Sequence, residues 1–104
     1  MVTTRVRLYN AAKLITQAVA VVEADTGASP MLLAAVEELR KKSKNAIGAM
    51  NCANDDVFEQ IIAMEQAADS VEHAAEAERG LTGETRKKVL EAHMSAIDVR
   101  CCRG

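Results

Sequence analysis

Aromatic side chains are nearly absent: Tyr9 and Phe58 are the whole set, and there is no tryptophan. That excludes a core built on rings and removes the stacking platforms that single-stranded nucleic acids use. A dominant sign of charge is missing too, with 13 basic against 15 acidic residues and a net charge of -2. Nothing global therefore draws the chain to nucleic acid or to an anionic membrane. Long hydrophobic runs are also lacking. The longest, Leu14 to Val22, is interrupted by Gln17 and preceded by Lys13, short of the roughly 20 residues a membrane span needs. Arg5, Arg7 and Lys13 ahead of Ala18-Val19-Ala20 have the order of a signal peptide, but the same residues make an amphipathic helix. Cysteines number three, Cys52, Cys101 and Cys102, with two adjacent and no C-x-x-C pair. An odd, clustered set makes a poor disulfide framework, so a reducing cytoplasm is the expected setting.

What is present is a chain of 104 residues, 49% hydrophobic and 27% charged, with 19 alanines. A chain of this size removes roughly 65% of its unfolded surface from water, enough for one domain, residues 1–104, to hold an aliphatic core without disulfides or metals.

Four segments repeat apolar residues with a period near 3.6, separated by three clusters of turn residues, and none alternates as a strand does. The chain reads as all-α, an antiparallel up-down-up-down four-helix bundle. A first helix is expected over Thr4–Ala24, with Leu8, Ala11, Ala12, Ile15, Ala18, Val19 and Val22 on a stripe widened by Leu14 and Val21. That stripe covers about half the circumference and predicts the most buried helix. Ser29 and Pro30 open the second helix, Pro30–Ala49, as a capping hydroxyl and a proline where no amide hydrogen is needed. Leu32, Val36, Leu39, Ser43, Ala46 and Met50 face inward. The Asn- and Asp-rich segment 51–56 is a turn in which Asn54 or Asp55 caps the next helix, and Asp56 with Glu59 has capping-box spacing. The third helix, Asp55–Arg79, buries Val57, Ile61, Met64, Ala68, Val71 and Ala75, with Gly80 just past its end. Thr82 caps a fourth helix, Gly83–Cys101, with Val89, Leu90, Ala92, Ala96, Ile97 and Val99 inward.

The third helix has two further edges. Ala63, Ala67, Ser70, Ala74 and Ala77 form a small-residue flank that admits a close neighbour. Together with the broad first helix, it suggests a second arrangement in which two hairpins complete their core by dimerising. On the other edge Glu65, Asp69, Glu72 and Glu76 recur at helical spacing. The fourth helix sets Arg86, His93 and Arg100 on its inward side, where an unpaired charge is costly. Across a hairpin centred on Leu81, facing residues have numbers summing to about 162. Glu76 then meets Arg86, Asp69 meets His93, and Glu65 lies near Arg100. By segment the charge is +3 for residues 1–54, -7 for 55–80 and +2 for 81–104, an acidic helix among basic neighbours.

Asp69, His93, Glu76, Arg86 and His73 are thus the candidate polar site. An Asp–His pair is the arrangement of a general base or a pH-sensitive latch, and equally of a structural pair that fixes helix register. Asp69, His73 and Glu76, one turn apart, offer zinc or nickel an adventitious foothold. Di-iron bundles, however, use Glu-x-x-His on two helices, and Ser70 and Leu90 stand three residues before His73 and His93. No metal or cofactor is expected. Nor is a catalytic residue: Cys52 has no histidine beside it in sequence, and phosphate loops, His-Glu-x-x-His and paired cysteine clusters are missing.

In size and class the chain resembles histidine phosphotransfer domains, which expose a histidine on a long bundle helix. That family carries a lysine three residues after the histidine and a glycine behind it. Glu76 and Ala77 stand there instead, and a carboxylate would repel the phosphoryl group.

The expected function is non-catalytic association, with a second copy as a homodimer or with another protein. The alternative is a small-ligand or metal-binding regulatory bundle around Asp69, His73, Glu76 and His93. A nucleic-acid role would rest on Arg40 to Lys44 and Arg86 to Lys88, where acidic neighbours and the lack of aromatics argue against it. No membrane partner is expected.

Overall fold

A computed structural model describes residues 4–52 and 56–101. It contains four helices, α1 (Thr4–Ala24), α2 (Pro30–Asn51), α3 (Val57–Glu76) and α4 (Gly83–Cys101), and no strand among the described residues. α1 and α4 have the boundaries expected from the sequence. α2 runs further because Gly48 does not break it: the Cys52 amide still donates to the Gly48 carbonyl. Arg5 and Tyr9 of α1 also donate to the Asn51 side chain, at 3.1 and 3.0 Å, and pin that end of α2.

α3 starts later and stops earlier than expected. Asp56 occupies its N-cap position but makes no capping bond through its side chain; the alternative caps Asn54 and Asp55 lie outside the described residues. At the other end the bonds from the Ala77 amide to His73 and from the Glu78 amide to Ala75 tighten the last turn. The Arg86 guanidinium then takes the carbonyls of Ala75, at 3.2 Å, and of Glu78. A cation on terminal carbonyls is favourable there, since the helix dipole makes them the negative end. This also explains why a basic residue sits in the first turn of α4. Ser29 and Thr82 cap as expected, accepting from the amides of Leu32 and Thr85 at 3.2 Å each.

Each helix packs on two neighbours, α1 on α2, α2 on α3, α3 on α4 and α4 on α1. The result is a four-cornered bundle of 41 × 24 × 18 Å around one core. Arg7 meets Asp98 at 2.6 Å while Lys88 meets Gln17, so numbers rise along α1 as they fall along α4. That is the register antiparallel neighbours give. Leu8, Ile15, Leu32, Leu39, Ile61 and Met64 are the largest fully buried side chains. Truncating one of these leucines to alanine costs about 2–5 kcal/mol. Ser43 is buried as expected and donates to the Arg40 carbonyl at 2.8 Å.

Three expectations need correction. Leu90 and Ile97 are exposed, because the inward stripe of α4 is Thr85, Val89, Ala92, Ala96 and Val99. On α1, Ala12, Leu14 and Val21 are only half-buried, so its inward stripe is narrower than expected. The small-residue flank is only partly covered: a groove is lined by Ala35 of α2, by Ser70 and Ala74 of α3 and by Ala77 just past its end, and Ser70 and Ala77 are exposed. Ala67 is buried, and Ala63 and Ala74 are half-buried. The four helices of the chain close one core together.

Candidate functional site

The α3–α4 edge carries the polar cluster. Its spacing places Glu65, Asp69 and Glu72 on the side of α3 turned to α4, and Arg86, His93 and Arg100 on the side of α4 turned back. Arg100 donates to Glu65 at 3.0 Å. His93 stands between two carboxylates: its Nε2 is 3.4 Å from Asp69 Oδ1, and its Nδ1 is 2.5 Å from Glu72 Oε2. The imidazole is 12% exposed and the Glu72 side chain 22%, whereas Asp69 is 54% exposed and opens the cluster to water. His73, one turn along α3, points largely into solvent with its Nε2 3.8 Å from the same Asp69 oxygen. One donor atom each from Asp69, Glu72 and His93 can be chosen so that all lie within 4.8 Å of one another.

Of the five residues named from the sequence, the fold sets His73 and His93 each beside Asp69. Glu76 is exposed, and Arg86 serves the carbonyls that end α3 rather than Glu76. Glu72 is the member the pairing arithmetic passed over. Its signal was its place three residues after Asp69, which lets one imidazole span both carboxylates.

A second polar knot, at the pole where the α1–α2 and α3–α4 turns meet, was not anticipated. Asp25 Oδ1 accepts from the Gly27 amide at 2.8 Å. Its Oδ2 accepts from the Thr85 hydroxyl at 2.7 Å and the Thr82 amide at 3.1 Å. These donors, the Thr85 hydroxyl foremost, lower its pKa from the ordinary 3.8 to about 2. Gly27 passes so close to Gly80 that a Cβ there would collide with the Gly80 carbonyl. This knot is a clasp between two turns.

Elsewhere the surface chemistry is self-contained. Arg40 pairs with Glu37 at 2.6 Å, Lys42 with Glu38 and Lys88 with Glu91 at 3.6 Å, so both basic runs carry their own counter-charges. Cys52 and Cys101 are free and exposed, and Cys102 lies outside the described residues. Among the described residues no helix is long and apolar enough to cross a membrane. Large apolar side chains also reach solvent: Leu90, Met94 and Ile97 on the outer face of α4, 46%, 60% and 37% exposed, besides Val6 and Tyr9 on α1 and Met31 on α2. The chain matches no family model, and no curated protein or solved structure matches it significantly.

Proposed function

We propose that the protein works by self-association, two copies meeting through the outer face of α4, and not by catalysis. One observation carries this reading: α4 is apolar on both sides. Val89, Ala92, Ala96 and Val99 are buried in the core, while Leu90, Met94, Ile97 and Cys101 recur at four, three and four residues on the exposed side. That spacing is the seam of a two-stranded coiled coil.

Charge selects the orientation. α4 stands between α3, which has five carboxylates and no lysine or arginine, and α1, which has three basic residues against one acidic. A two-fold axis along α4 sets each acidic α3 beside the partner's basic α1. Turning one copy end for end would instead set α3 beside α3. The parallel pairing is therefore the complementary one. Exposed thiols at Cys52 and Cys101 support a reducing setting, the cytoplasm.

Size-exclusion chromatography with light scattering, across a hundredfold range of concentration, tests the reading. A mass approaching twice the 11.2 kDa of the chain is expected, falling to the single-chain value in Met94→Glu. A wild-type monomer at every concentration contradicts it.

A further inference from the structure

We propose that Asp69 and His93, joined by His73, form a binding site for a divalent transition metal of the zinc type, with Glu72 as the positioning residue. This goes beyond the association reading and does not depend on it.

Both ring nitrogens of His93 face carboxylate oxygens. Nδ1, 2.5 Å from Glu72 Oε2, donates to it. That leaves Nε2 as the ring nitrogen turned to Asp69 Oδ1, and their 3.4 Å separation is longer than an N–H···O bond of about 2.7–3.2 Å. A metal fits that gap better. Ligand bonds of about 2.0–2.2 Å at a tetrahedral angle place two donor atoms roughly 3.3–3.5 Å apart.

The surroundings agree with that occupant. A carboxylate behind the second ring nitrogen is the usual device for fixing the tautomer and orientation of a metal-binding histidine. His73 Nε2 lies 3.8 Å from the same Asp69 oxygen, and its side chain, 71% exposed, is free to turn toward it. Imidazole and carboxylate together suit zinc, copper or nickel rather than calcium or magnesium. Asp69, more than half exposed, leaves an entry path and room for a water as fourth ligand.

The test is calorimetric titration of zinc chloride into the full chain, stripped with chelator and carrying serine at Cys52, Cys101 and Cys102 so that thiols do not compete. One zinc per chain is expected, with a melting temperature that rises with zinc. Binding should be lost in His93→Gln, weakened about 10- to 100-fold in Glu72→Gln, and weakened at least tenfold in His73→Ala. The exposed position of His73 keeps that last variant folded, so it carries the test if His93→Gln does not fold. No binding at millimolar zinc, or binding indifferent to both histidine substitutions, overturns the proposal.

Discussion

Two carboxylates on this small bundle have opposite circumstances. Asp25, at the pole where two turns meet, is supplied with hydrogen atoms from every side: the amides of Gly27 and Thr82 and the hydroxyl of Thr85. Asp69, on the α3–α4 edge, faces two imidazoles and more than half of it stays in water. The first arrangement is complete within the chain and holds two turns together. The second is open to solvent, and beside it α4 displays Leu90, Met94 and Ile97. The pole secures the fold, and the edge is where the proposed association and metal binding would act.

Substitutions should separate the two. The largest loss of stability is expected at the pole from Gly27→Ala, whose methyl group meets the Gly80 carbonyl. Backbone cannot yield as a flexible side chain does, so about 2–3 kcal/mol is expected from urea unfolding. The reciprocal change, Gly80→Ala, meets only ordinary contact at 3.5 Å and should stay within about 0.5 kcal/mol of wild type. Equal effects would refute the close approach.

The clasp should next reveal itself through pH. Because Asp25 has a pKa lowered from 3.8 to about 2, its contribution is fully present above pH 4 and is lost as pH falls toward 2. Asp25→Asn should be less stable at neutral pH, with a flatter melting temperature across that acid window. A variant whose acid profile overlays wild type would place the pH dependence elsewhere.

At the edge the effects on folding shrink. His93→Leu should keep the fold and shift stability by about 1 kcal/mol or less, since Asp69 and Glu72 both retain contact with water. A collapse of the far-ultraviolet circular dichroism signal would show the edge to be as essential as the pole. Smallest of all, Met94→Glu should leave the unfolding free energy at low concentration within about 0.5 kcal/mol of the parent while removing self-association. A large loss of monomer stability would mean that Met94 belongs to the core.

Most of the fold could be read from the sequence because its signals are local. Ser29-Pro30 and Thr82 mark helix starts through bonds within four residues, and burial at Leu8, Ile15, Leu32, Val36 and Ile61 follows one period. Both sides of α4 are apolar and periodicity cannot rank them, so it turns Leu90 and Ile97 inward where the fold exposes them. Thr85, polar yet buried, masks the inward stripe in the sequence, and its hydroxyl donates to Asp25 in the turn of the other helix pair. That bond spans sixty residues of chain, which no local pattern encodes. The Asp69–His93 and Glu65–Arg100 encounters were legible because a short turn fixes the register of a hairpin. Glu76 and Arg86 escaped the same arithmetic because backbone carbonyls at the end of α3 compete for the guanidinium.

In the proposed dimer the outer seam of α4 joins two copies side by side in the same direction. Cys101 lies on that seam, at the end opposite the α1–α2 and α3–α4 turns. In a parallel pair it meets its own counterpart within the roughly 4.4–6.8 Å between Cα atoms that a disulfide allows. In an end-for-end pair the two are separated by most of a helix length. The decisive measurement is mild oxidation of a chain with serine at Cys52 and Cys102, followed by non-reducing electrophoresis. The prediction is a covalent dimer formed through Cys101 and abolished by Met94→Glu. A chain that stays single through Cys101 but links through Met94→Cys would contradict it.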